Sequence, residues 1–146
     1  MEKRSPADWV EFARRIESGD GMPANFDIAA KWMEKAALEG NADAQFTIAQ
    51  WISKGRLDEP ESVGVTYLHI AARGGHGPAQ RELGLRYARD RTRPFAAFNA
   101  YVWLLYAAMS GEDIPAEFLR SLGDRLEPEM RETARERVRA GTDLAK

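Results

Sequence analysis

Nucleophilic and metal chemistry have little to draw on in this chain of 146 residues, which holds no cysteine and two histidines, His69 and His76. A histidine serves as a general base when a carboxylate orients it and a hydroxyl or thiol stands beside it. Neither histidine has a fixed acidic partner in the sequence around it. His69, between Leu68 and Ile70, reads as a polar rim position on a helix, and His76 follows Gly75 at a turn. A metal site needs three or four converging ligands, and two histidines without regularly spaced carboxylates do not supply them. Gly74-Gly75-His76-Gly77 shares only its glycines with a phosphate loop, because it lacks the Lys and Ser/Thr and follows a helical segment. These residues argue against an enzyme, a metal centre or a cofactor site. The concentrated charge is basic: Arg81, Arg86, Arg89, Arg91 and Arg93 stand against Glu82 and Asp90, locally five minus two or +3. Such a run suits an acidic partner, although a solvated helix face is its plainer reading.

The elements that position these residues come from a repeat. Ala36-Ala37 followed by Gly40 returns as Ala71-Ala72 with Gly75 and as Ala107-Ala108 with Gly111, at offsets of 35 and 36 residues. Each phrase follows an aromatic four positions earlier: Trp32, Tyr67 and Trp103. Ala44-Gln45 precedes Ile48-Ala49 and Ile52 as Ala79-Gln80 precedes Leu83-Gly84 and Tyr87. A more divergent first copy keeps Asp8, Phe12, Ala13, Ile16 and Gly19. A period of this length marks a supersecondary unit that buries its apolar face against its neighbours. Phe26, Ala29, Ala30, Met33, Ala36 and Ala37 share one face at helical spacing. Small residues such as Ala49 and Gly84 suit tight helix crossings, and Gly40, Gly75 and Gly111 suit left-handed helix caps. Ser5-Pro6-Ala7-Asp8 reads as a capped helix start, with Gly77-Pro78-Ala79 and Glu127-Pro128-Glu129 of the same kind. Helices are expected near 6–18, 25–39, 42–54, 61–74, 78–90, 95–110, 114–125 and 128–140, with no strand.

The order Ala-Gln-x-x-Leu-Gly-x-x-Tyr, a loop, then aromatic-x-x-x-Ala-Ala-x-x-Gly resembles the Sel1-like repeat, a relative of the tetratricopeptide repeat, over roughly residues 5–112. Two departures stand out. Asp90 occupies the loop glycine's place, with Arg91-Thr92-Arg93-Pro94 after it, and the first copy lacks the Ala-Gln opening. The resemblance implies an all-α, right-handed α-α superhelical solenoid forming one domain over 1–146. Its repeats would span about 5–40, 41–76 and 77–112, with closing helices over 113–140. It also implies a bacterial setting and a scaffold or adaptor that assembles, regulates or neutralises a partner protein.

By position, the resemblance places the first helix of each pair on the binding wall. The residues left outside the core pattern there include Val10, Glu11, Arg14, Phe46, Gln50, Trp51, Arg81 and Leu85. Partner contact is expected from Arg14, Phe46, Gln50, Trp51, Arg81 and Leu85, with aromatic anchors among arginines. Trp51 has a second reading, in which it packs on a neighbouring repeat or on the 55–60 loop. Trp32, Tyr67 and Trp103 read as core.

A net charge of −2, 44% apolar and 30% charged residues and a mean hydropathy of −0.51 fit a globular domain without general attraction to nucleic acid. The Met1-to-Pro6 start carries no apolar secretory run, and Ala100–Met109, ten apolar residues, is too short to span a bilayer. The expectation is a cytoplasmic protein that binds another protein, with no cofactor, metal, nucleic acid or membrane. The alternative is self-association: Tyr101–Tyr106 is apolar on nearly every side of its helix, and either a second copy or Phe118, Leu119, Leu122, Leu126, Met130, Ala134 and Val138 must cover it. A monomer or weak homodimer follows.

Overall fold

The repeat phrase is a helix-ending device. In the computed structural model Asn41 N–H donates to Ala36 O at 3.0 Å and Gly40 N–H to Ala37 O at 3.1 Å. Glu112 and Gly111 repeat this on Ala107 and Ala108 at 3.0 and 3.2 Å. Gly40, Gly75 and Gly111 take φ of 92°, 87° and 94°, and a Cβ on any of them would meet no heavy atom within 4 Å. Glycine is there for its backbone conformation and not for space.

The structure describes residues 4–144, and side chains to 141. These residues form eight helices and no strand: α1 (Pro6–Ser18), α2 (Phe26–Leu38), α3 (Ala42–Ser53), α4 (Glu61–Arg73), α5 (Gly77–Arg89), α6 (Ala96–Met109), α7 (Ala116–Asp124) and α8 (Pro128–Leu144). The all-α expectation holds, with boundaries within two residues over α1–α7, and α8 runs further than expected. Ser5 Oγ caps Asp8 N–H while Asp8 Oδ2 accepts the Ser5 N–H at 2.6 Å, the reciprocal box that the sequence indicates. Asn25 and Asn41 cap α2 and α3. At α5 the cap lies one residue earlier than expected: His76 Nδ1 accepts the Ala79 N–H at 3.2 Å, and Gly77 and Pro78 fill the first turn. His76 thereby does for α5 what Asn41 does for α3.

The chain divides between Gly74 and Gly75 into two compact units. In the first, α1 packs on α2, α2 on α3 and α3 on α4. Its core joins Ala13 and Ile16 to Met33, Ala36, Ile48 and Ile52, with Trp32 and Tyr67 half-buried against it. Gln45 is also buried, and its amide donates to the Ala37 carbonyl at 3.2 Å. The Ala-Gln phrase thus brings a second donor to a carbonyl that the Gly40 cap already meets, and ties the start of α3 to the end of α2. In the second unit α6 is packed by α5, α7 and α8. Tyr101, Val102 and Leu104 meet Leu122, Leu126, Ala134 and Val138 there. Tyr101, Val102 and Leu104 are thus covered from within the chain, as the sequence allows, while Trp103, Leu105 and Tyr106 are half-buried.

Candidate protein-binding surface

In the first unit Arg14 on α1 and Gln50 on α3 are exposed, and Phe46, one turn before Gln50, is half-buried. Trp51 is placed otherwise. It is 4% exposed, so the reading of it as a ring left outside the core is corrected. Its ring meets Phe26 edge-on, with centroids 4.8 Å apart. The Arg56 guanidinium lies 4.3 Å from the Phe26 centroid and 5.4 Å from that of Trp51, and binds Glu17 Oε1 at 2.7 Å. Leu57 packs on the same core. Trp51 therefore packs on a neighbouring helix and on the loop that follows it, which is its second reading. Val10, set outside the core by the sequence, is likewise buried.

In the second unit Arg81 is exposed and Leu85, one turn on, is half-buried against the unit's core. The arginine run is partly spoken for. Arg86 Nε stands 3.7 Å from Glu82, and Arg93 Nε 3.3 Å from Asp90.

Burial, and then the charge of Arg73, hold the half-buried His69 below the usual imidazole pKa, which favours its neutral form. Among the described residues no group of three or more His, Cys, Asp or Glu converges as a metal site, and no helix is long and apolar enough to cross a membrane.

A feature that sequence reading missed lies at the α5–α6 connection. Asp90 organises it: Oδ1 accepts Thr92 N–H at 2.8 Å, Thr92 Oγ1 at 2.7 Å and Arg93 N–H at 3.2 Å. These bonds, with the nearby Arg93, hold the Asp90 carboxyl below the ordinary carboxylate range. The turn then delivers Phe95 at φ 66°, left-handed for a non-glycine residue, and the residue is 66% exposed. Beside it, a cleft of about 500 Å³ opens between this connection and the α7–α8 junction at Arg125–Glu127. The signal in the sequence was the loss of the loop glycine at Asp90.

No protein-family model and no curated protein sequence matches the chain. A solved structure does. A Sel1 repeat protein from Oxalobacter formigenes superposes with a TM-score of 0.65 at 26% identity, over 73% of this chain and 44% of that one. The chain spans less than half the length of that protein. The paired helices, the Ala-Ala-x-x-Gly caps, the buried glutamines and this likeness agree, and the chain is built on the Sel1-like repeat fold.

Proposed function

We propose that this chain is a non-enzymatic adaptor or scaffold that holds a peptide or helix of a partner protein against the first helices of its repeats. The observation that carries the reading is the Sel1-like repeat fold together with exposed polar and half-buried apolar side chains at matching helix positions. Arg14, Phe46 and Gln50 offer such a surface on α1 and α3, and Arg81 and Leu85 on α5. Trp51, buried against Phe26, stands outside the set of exposed contacts. The module works as a monomer or weak homodimer in the cytoplasm, without cofactor, nucleic acid or membrane, and its effect on the partner is to assemble, regulate or neutralise it. The alternative is self-association through α6, which α5, α7 and α8 pack in its own unit while Trp103, Leu105 and Tyr106 stay half-buried.

The test uses exposed positions only. The immobilised chain is challenged with host lysate beside an Arg14→Ala/Gln50→Ala/Arg81→Ala variant whose circular dichroism matches the wild type. A stoichiometric protein retained by the wild type and lost by the variant is the expected result. Equal retention by both would remove these residues from the binding surface.

A further inference from the structure

The α5–α6 connection departs from the repeat pattern and builds something in exchange. Its cleft has a floor of Phe98 and Leu126, both buried, and of the half-buried Met130. Arg91 and Arg125 stand on its wall, exposed and without an ion pair among the described residues. Asp90, also on the wall, turns its carboxylate to its own loop and to Arg93, so its charge is already met. Glu127 is the remaining carboxylate there, against two unpaired guanidinium groups. Arg137 adds a guanidinium 5.2 Å from the Phe98 centroid. An apolar floor inside a polar rim can seat a side chain, and unpaired arginines take carboxylates in a bidentate grip.

We infer that this cleft is a second binding site, which takes a short acidic segment of a partner protein: one apolar side chain seats on Phe98, Leu126 and Met130, and flanking carboxylates pair with Arg91 and Arg125. The inference shares with the preceding reading only its class of ligand, and it uses different residues. Phe95 closes one side. Its exposed ring, held out on a left-handed backbone, lies where it can cover a seated apolar group. The apolar floor favours a peptide over a nucleic acid strand, because a phosphate backbone would leave that floor unfilled.

The probe is a fluorescein-labelled nonapeptide with a central phenylalanine flanked by Asp and Glu, measured by anisotropy against its Asn/Gln counterpart and against a labelled oligothymidylate. The expected result is binding of the acidic peptide alone, weakened at least about tenfold in Arg91→Glu/Arg125→Glu and further weakened by salt. Phe95→Gly removes the ring at a backbone angle that glycine accepts, and should weaken binding with its helix content intact. The Arg14→Ala/Gln50→Ala/Arg81→Ala variant should bind the peptide as the wild type does. Binding untouched by the cleft variants, equal binding of the Asn/Gln peptide, preference for the oligonucleotide, or no binding of the acidic peptide would each overturn the inference. If the cleft variants keep the peptide while the triple variant loses it, this site fails and the surface on the first helices stands.

Discussion

Trp51 illustrates how much a single ring can be asked to hold in a small repeat. Buried to 4% exposure and set edge-on to Phe26, it leaves no side accessible to a partner. Trp51→Ala should therefore act on stability, removing about 3–5 kcal/mol as a large-to-small core change, while Trp51→Phe keeps most of the packing. Denaturant midpoints of the two variants check this, and a Trp51→Ala protein as stable as the wild type would contradict the placement. It follows that lost partner capture in Trp51→Ala reports unfolding, whereas the exposed Arg14 and Gln50 can be changed cleanly. His69 makes a different demand. Burial and Arg73 depress its pKa below the ordinary 6.5. The unfolded chain takes up that proton at higher pH than the folded one, so stability declines as pH falls through 6.5 and levels off below the folded pKa. The unfolding midpoint should drop on acidification across that window, and drop less in His69→Gln. An imidazole titration by NMR with its midpoint above 6.5 would contradict the direction.

Among the elements, two glycines inside helices test what the repeat pattern means. A Cβ on Gly84 of α5 would lie 2.6 Å from Leu104 Cγ and 3.2 Å from the Leu104 amide nitrogen, and Leu104 is fully buried. On Gly64 of α4 the nearest atoms are Ile52 Cγ2 at 3.2 Å and Cβ at 3.3 Å, where a few tenths of an ångström suffice. Gly84→Ala should cost about 1–3 kcal/mol by overpacking the α5–α6 crossing. Gly64→Ala should come out near neutral, because the gain of about 1 kcal/mol in helix propensity offsets the squeeze. Urea denaturation of both measures the contrast, and equal effects would show that Gly84 is not placed for close approach. The pairing also explains what was legible. Caps, periods and small crossing residues are local, so Ser5, Gly40 and Gly84 announce their elements directly. Burial of α3 is not local: α2 and α4 flank it on two sides, so Gln45 and Trp51 are buried along with Ile48 and Ile52, and a single apolar stripe understates the covered arc. Phe95 and the cleft were illegible for a related reason, since they need Asp90's hydrogen bonds and the α7–α8 junction to meet.

For the molecule as a whole, the question that the apolar α6 raises is whether it stands alone in water. Tyr101, Val102 and Leu104 are covered by α5, α7 and α8, and polar ties fix the lid: the Tyr106 hydroxyl donates to Arg137 O at 3.2 Å, and Arg135 Nε donates to the Tyr101 hydroxyl at 3.2 Å. The large apolar side chains still exposed, Ile28, Leu38, Ile70, Phe95 and Met109, are distributed over α2, α4, the α5–α6 connection and α6. Exposed apolar residues of this kind are ordinary, and specific dimers need a well-packed apolar patch of larger extent. Sedimentation equilibrium should return the monomer mass of 16.4 kDa at every loading concentration. The lid supplies the complementary experiment. Val138, 2% exposed on α8, faces the α6 cluster, and Val138→Asp would bury a carboxylate there without a partner. Release of α8 would uncover the ring-rich surface of α6, and that variant's mass should rise with concentration while the wild type's does not. A wild type whose mass also rises would return self-association to the function of this chain, with Leu38 and Met109, at 77% and 56% exposure, as the first positions to charge.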